Sequence, residues 1–176
     1  MLRGIELMQK HHGDEHPDLV IYLNNLADAY QTEFKFTEAE ASYRKALTIG
    51  EKLFNGQHPF IGISRMGLGV LYGLQGSPEK AEAELERAAE ILKTVWGEGH
   101  PDAGTVKYKQ GDLFLGIGKM EQAEKAYAAA LEIFLRTVGG QHPWVRDIRK
   151  KLSRVCFDLG KNKEAEEYLK RSREQS

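Results

Sequence analysis

The residues of this chain best suited to hold a metal ion or move a proton near neutral pH are six histidines and a single cysteine, Cys156. Four of the histidines, His16, His58, His100 and His142, are each followed by proline, and each lies 42 residues from the next. A metal site needs its donors within about 2 Å of one ion. Residues one such period apart are instead separated by two packed helices at roughly 8–10 Å each. The four histidines therefore read as helix caps. His11, His12, Asp14 and His16 are closer together, but a helix end expected at Gly13 divides them, and no second cluster completes a coordination shell. The run Gly67-Leu68-Gly69-Val70-Leu71-Tyr72-Gly73 imitates a dinucleotide loop with the wrong spacing, and it falls inside a helix instead of after a strand. The sequence has no Walker loop, HExxH, GxSxG or CxxC, and Cys156 lies in an apolar column, where it reads as a small buried hydrophobe. No catalytic site, metal or cofactor is expected, and the chain reads as a non-enzyme.

The elements that position these residues follow from the same dipeptide. Proline fixes φ near the helical value and lacks a donor that a helix start leaves unpaired, while the residue before it is pushed into extended backbone. Helix starts are thus expected within about two residues of Pro17, Pro59, Pro101 and Pro143. In the first full unit one helix should run to Glu33 and a second from Thr37 to Phe54, joined by a turn at 34–36. Asp18 and Asp102 place negative charge in a first turn, where the helix dipole favours it.

A fixed 42-residue period marks a stack of units, each burying its apolar face on its neighbours. The boundaries are 13–54, 55–96, 97–138 and 139–176, after a partial helix over residues 1–12 whose Ile5 and Leu7 match Leu47 and Ile49. Laid in register, the units show packing columns: Ala39, Ala81, Ala123 and Ala165; Tyr43, Leu85, Tyr127 and Leu169; Ala27, Gly69, Gly111 and Ser153; Tyr30, Tyr72, Phe114 and Cys156. Second helices end at Gly13, Asn55, Gly97 and Gly139, residues that tolerate the left-handed conformation. First helices end at Gly76, Gly118 and Gly160, with Phe34 the exception. The glycines Gly62, Gly67, Gly69 and Gly73 make the first helix of the second unit the least stable expected, since each costs about 1 kcal/mol relative to alanine.

A small residue three before an aromatic, an alanine nine beyond it, a large residue four further on and another small residue three beyond that resemble the tetratricopeptide repeat (TPR) family. The 42-residue period, the G-x-x-H-P entry and Leu23-Asn24-Asn25-Leu26-Ala27 are similar to the kinesin light chain type. The resemblance covers Gly13 to about Ser172. It implies an all-α solenoid of four antiparallel helix pairs in a right-handed superhelix, used for protein binding. The Asn-Asn pair becomes Met66-Gly67, Tyr108-Lys109 and Lys150-Lys151 in the later units, so ligand preference does not carry over with the fold.

Composition narrows the partner. The 25 Lys+Arg and 26 Asp+Glu give a net charge of −1, which leaves no basic surplus for a nucleic-acid backbone. One cysteine cannot form an internal disulfide, no apolar run reaches the roughly 18 residues of a membrane span, and a cytoplasmic setting is expected. Residues 142–176 hold 10 basic and 6 acidic side chains, so charge is uneven along the chain. Arg173 and Gln175 continue apolar columns of the earlier second helices, a polar face expected of an array's end.

In TPR arrays the first-helix positions outside the packing columns line a concave groove, and the resemblance assigns candidates there. Ile63, Met66, Val70 and Leu74 form an apolar stripe that Tyr108 extends. Lys150 and Arg154 form a basic stripe with Arg146. Asn24 and Asn25 offer amides that can bond both donor and acceptor of an extended peptide, with Asp28 one turn further along the same helix and Asp112 at the position matching Asp28 in the third unit. The expected ligand is a protein segment with an apolar anchor and acidic residues, bound by an adaptor or scaffold. The alternative is a fixed subunit or assembly factor that contacts its partner through broad surfaces.

Overall fold

The computed structural model describes residues 15–173 together with Lys10 and Gly13. Apart from Lys10, the partial helix expected over residues 1–12 lies outside the described residues, as do Asp14 and Gln175. The helices are α1 (Pro17–Thr32), α2 (Phe36–Phe54), α3 (Pro59–Leu74), α4 (Pro78–Trp96), α5 (Pro101–Gly116), α6 (Met120–Thr137), α7 (Pro143–Asp158) and α8 (Asn162–Arg173), and no strand occurs among the described residues.

Each His-Pro dipeptide starts a helix. The histidine is extended, with φ between −151° and −66°, and its Nδ1 accepts a hydrogen bond from the backbone N–H two residues on, at 3.2 Å in all four copies. An imidazole thus satisfies one of the donors that a helix start leaves open. His58 and His100 also pack on the aromatic residue that ends the preceding helix: His58 on Phe54 at 3.9 Å and His100 on Trp96 at 4.0 Å between ring centroids.

The turn inside each pair is a Schellman closure. Lys35, Ser77, Lys119 and Lys161 donate their N–H groups to the carbonyls of Tyr30, Tyr72, Phe114 and Cys156, at 2.8–2.9 Å. The residue before each donor is left-handed: Gly76, Gly118 and Gly160, and also Phe34 at φ 59°. The apparent exception at Phe34 therefore holds the same conformation without the glycine that suits it, its side chain exposed.

The chain divides into two compact units, Met1–Val95 and Trp96–Ser176. In the first, α1 and α2 pair around Leu19, Val20, Leu23, Leu26, Ala46 and Ile49. Close approach sets the glycines of α3. A Cβ on Gly67 would lie 2.3 Å from Tyr43 Cε1 on α2, and one on Gly69 would lie 2.7 Å from Leu85 Cγ on α4. In the second unit α5, α6 and α7 surround Tyr127, Ala130, Phe134, Ile148 and Leu152, and Gly111 lets α5 meet the Tyr127 ring. The alanine column is buried throughout, as are Tyr43, Leu85 and Tyr127 of the large one. Leu169 and Ser153, on the last pair, are only half-buried, and Arg173 is exposed.

Candidate functional site

In the first unit the expected groove residues divide into those the fold consumes and those it leaves open. Asn24 is buried, and its Oδ1 accepts from Ser64 Oγ at 2.8 Å, so its amide ties α1 to α3 instead of facing a ligand. Asn25 on the next position is exposed. Asp28 is exposed but receives the Tyr43 hydroxyl, and burial together with this carboxylate pushes the phenol pKa up. Ile63, Met66 and Val70 are half-buried along α3, and Leu74 at its end is more than half exposed.

Two polar joints of this unit were not anticipated from the sequence. Arg65 on α3 reaches Glu84 on α4 at 2.8 Å and Glu51 on α2 at 2.7 Å. The Tyr72 hydroxyl bonds Glu40 at 3.0 Å and receives Arg44 at 2.8 Å. Their partners are 14 to 32 residues away in sequence, beyond the i, i+4 spacings that a charge pattern displays.

The second unit concentrates its polar groups between α5 and α7. Tyr127 donates to Asp112 Oδ1 at 2.7 Å, Tyr108 donates to Asp147 Oδ2 at 2.7 Å, and the Lys151 ammonium bonds Asp112 while sitting 4.3 Å from the centre of the Tyr108 ring. Burial opposes the Lys151 charge, but the bonds to Asp112 and Tyr108 outweigh it and raise its pKa. Burial first, then Asp112, raises Tyr127, and burial dominates at Tyr108. Beside this network a cleft of about 370 Å³ opens, lined by Thr105, Tyr108, Lys109, Phe134, Trp144 and Asp147. Tyr108 is one of the residues that the sequence assigns to a groove. Trp144, 51% exposed with its ring edge-to-face on Phe134 at 5.1 Å, was not singled out from the sequence, although an aromatic stands in the same column two 42-residue periods earlier, as Phe60.

Lys150 and Arg154 are exposed but lie elsewhere, on a broader groove between α7 and α8 with Ser153, Phe157, Ala165 and Leu169. Arg146, expected on their stripe, is half-buried.

Cys156 is fully buried, as expected, and burial together with Glu124 and Glu164 pushes its thiol up to about 11. The thiol is therefore protonated near neutral pH and is neither a nucleophile nor a ready metal ligand. Glu124, Cys156 and Glu164 offer donor atoms within 4.8 Å of one another, yet both Glu124 oxygens already bond the Lys161 ammonium at 2.7 Å. No helix among the described residues is long and apolar enough to cross a membrane.

Histidine-capped helix pairs that repeat every 42 residues, with small-residue contacts where helices meet, define an all-α repeat protein. The tetratricopeptide repeat family matches residues 2–52, 23–94 and 102–176, and the chain belongs to that family. It is similar to the crystal structure of BtubC (BKLC) from P. vanneervenii, at TM-score 0.83 and 27% identity, covering 97% of this chain and 67% of that one. It also matches the fold of a kinesin light chain candidate from Podosopora anserina with nearly identical TPR-like repeats, at TM-score 0.73 and 23% identity, covering 97% and 81%. A single-substitution form of that protein matches at TM-score 0.75 and 22% identity, with the same coverage of 97% and 81%. Comparison with curated protein sequences gives no match. TPR domains serve in general as protein interaction modules, and this chain is one by family.

Proposed function

We propose that the chain is a non-enzymatic adaptor, working in the cytoplasm, that captures an extended segment of a partner protein by an apolar side chain seated in the α5–α7 cleft. The observation that carries this reading is the cleft itself: an exposed tryptophan, Phe134 and Tyr108 form apolar walls around about 370 Å³, with Lys109 and Asp147 at the rim. Rigid aromatic walls with a few polar groups at their edge suit one large side chain and the backbone on either side of it. The Lys109 ammonium, 5.4 Å from the Tyr108 ring centre, is placed to meet an acidic residue next to the anchor. In the first unit, Ile63, Met66, Val70 and Leu74, with Asn25 exposed on α1, offer a second apolar strip for the same class of ligand.

Selection of peptides from a random display library on the whole chain tests the reading. The enriched peptides should share an aromatic or large aliphatic residue beside an acidic one. Trp144→Ala should weaken them by about tenfold or more, because truncating a central tryptophan is among the costliest changes at an interface. Met66→Glu should weaken any that also use the α3 strip. Peptides that bind Trp144→Ala as well as the parent would remove the cleft from the function.

A further inference from the structure

We infer that the α5–α7 cleft of one copy receives Phe34 of a second copy, so that the chain associates with itself head to tail, and copies and partner compete for one site. The inference rests on the reading of that cleft as a seat for a large apolar side chain beside an acid, and it names an occupant.

Phe34 is unusual in both backbone and side chain. At φ 59° it holds the left-handed turn position where the other three pairs have glycine, a conformation that costs an ordinary L-residue stability. It is also 80% exposed, the most exposed large apolar side chain among the described residues. The ring contact it makes in return is the edge-on one to Phe36 at 6.1 Å. Residues held in such conformations cluster at ligand clamps and switch regions, where the strain has a use beyond the fold.

The charges around Phe34 complement those of the cleft. Glu33 precedes it and Lys35 follows it. The cleft carries a cation on α5, Lys109, and a carboxylate on α7, Asp147. Lys109 is half-buried, and its contact is with the Tyr108 ring at 5.4 Å and not with an acid. Asp147 receives the Tyr108 hydroxyl and approaches Lys151 at 3.9 Å through the same oxygen, Oδ2, and about half of its side chain is exposed. With the Phe34 ring between Trp144 and Tyr108, Glu33 meets Lys109 and Lys35 meets Oδ1 of Asp147. Glu33 and Lys35 pair with each other at 2.6 Å in the free chain, but both are more than half exposed, so that pair is worth little and exchanges readily.

The other exposed aromatic residues do not match. Tyr22 lies between Ile21 and Leu23, and Trp96 lies between Val95 and Gly97 with its ring on His100. Phe157 precedes Asp158 but sits within α7, and Arg154 holds that carboxylate at 4.0 Å. Phe34 and Trp144 are both exposed within one chain, so neither covers the other, and a second copy supplies the contact. The turn and the cleft are different surfaces, so the contact is heterologous, and a copy held by its cleft keeps its own turn available. The pairing therefore extends into short chains of copies as concentration rises.

Sedimentation velocity on the whole chain, from about 10 μM to about 1 mM, tests this. The sedimentation coefficient of the parent should rise with concentration. Phe34→Gly removes the ring and keeps the left-handed backbone, while Trp144→Ala removes one wall of the cleft. Each should move the association to about tenfold higher concentration or beyond, with circular dichroism unchanged. Mixed together, the two variants should form a 1:1 pair that grows no further, since one retains the cleft and the other the turn. Lys109→Glu in the cleft-bearing copy should weaken that pair, and Glu33→Lys in the turn-bearing copy should restore it. Peptides selected on the parent for the cleft should dissociate the copies. A parent that stays monomeric over the whole range overturns the inference, as does association that survives Phe34→Gly or a mixture that forms no pair. In each of those cases the cleft reading still stands if the selected peptides bind the parent and not Trp144→Ala, so the two fail separately.

Discussion

Each compact unit contains one joint between successive helix pairs, and the two are built from residues that match at a spacing of 84 and with different chemistry. Asp28 and Tyr43 in the first unit correspond to Asp112 and Tyr127 in the second, and the tyrosine donates to the aspartate in both. What covers the pair differs. In the first unit it is Gly67, whose backbone lies against the Tyr43 ring; in the second it is Lys151, whose ammonium bonds the aspartate and lies near both tyrosine rings. Asn24 and Ile63 of the first unit become Tyr108 and Asp147, a further hydrogen-bonded pair. At this position one joint closes by shape and the other by charge, although Arg65 and Tyr72 add polar contacts elsewhere on the first. The repeat pattern thus fixes where helices meet and leaves open what holds them.

The largest expected effect tests the joint closed by shape. Alanine in place of glycine inside a helix ordinarily adds up to about 1 kcal/mol. At Gly67 the new Cβ would lie 2.3 Å from a Tyr43 ring atom, and Tyr43 is fully buried and held by Asp28, so the ring has nowhere to move. Gly67→Ala should instead destabilise by about 1–3 kcal/mol, read as a lowered urea midpoint. Gly116→Ala at the end of α5, with nothing within 4 Å of its Cβ, serves as the control and should be neutral or slightly stabilising. A neutral Gly67→Ala would mean that the two joints differ less than their contacts indicate.

The charged joint gives the second prediction. Lys151→Met removes the ammonium and leaves Asp112 half-buried with only the Tyr127 hydroxyl, which should cost about 1–2 kcal/mol. The parent should also lose stability in alkali through this unit. The Lys151 pKa is raised, so its contribution is full below about pH 10.4 and disappears as pH rises through the folded value. Raised phenols act in the same sense above about pH 10 in both units, Tyr43 and Tyr72 in the first and Tyr108 and Tyr127 in the second, so the second unit's excess comes from Lys151 and from the Cys156 thiol, which acts between its ordinary value and about 11. Hydrogen exchange near pH 10.5 should therefore find α5–α7 losing protection by a larger factor than α1–α3, relative to pH 8. Equal loss in both would contradict the assignment of charge to one joint.

How much of this is legible in advance follows from sequence distance. The histidine caps, glycine turns and alanine columns repeat at a fixed interval, and every contact they make inside one helix pair or turn is local, so the period displays them. The pattern puts Asn24 correctly on α1 and yet mistakes its role, because its partner Ser64 lies 40 residues away and serine at 64 carries no signal of its own. Lys151 meets Asp112 across 39 residues, and as the second lysine of a Lys-Lys pair it looks like solvated charge. Trp144 escapes notice because it stands in the column of Asp18 and Asp102, where first-turn charge is the visible pattern.

A smaller effect sharpens the comparison at the turns. Phe34 is left-handed where the other three pairs have glycine, a conformation that costs an ordinary L-residue roughly 1–2 kcal/mol. Part of the gain from glycine is offset by its larger entropy loss on folding and by the lost contact with Phe36, whose ring lies edge-on at 6.1 Å. Phe34→Gly should stabilise by roughly 0.5–1 kcal/mol. A loss would show that the exposed aromatic pair contributes more than the backbone costs.

The smallest effect lies on the acid side and belongs to the first unit. His58 caps α3 through Nδ1, which can accept from Phe60 N–H only while unprotonated, and its ring is packed between Phe54 at 3.9 Å and Phe60 at 4.6 Å. Burial among these rings lowers its pKa below 6.5. A lowered histidine pKa means that the folded chain prefers the neutral ring and the unfolded chain binds more protons. The contribution is therefore present above pH 6.5 and is lost as pH falls through the folded value. Protonation there also sets a positive charge against the positive end of the helix dipole, an effect of roughly 0.5 kcal/mol at such a site. His58→Asn keeps a side-chain acceptor at the cap without a titrating ring. Urea midpoints measured from about pH 7.5 to about pH 5 should fall more steeply for the parent than for His58→Asn. The difference is best read from circular dichroism instead of tryptophan fluorescence, because both tryptophans lie in the second unit. Parallel curves would mean that the packed ring titrates without cost to the helix it starts, and that the first unit has no acid-sensitive counterpart to the alkaline sensitivity of the second.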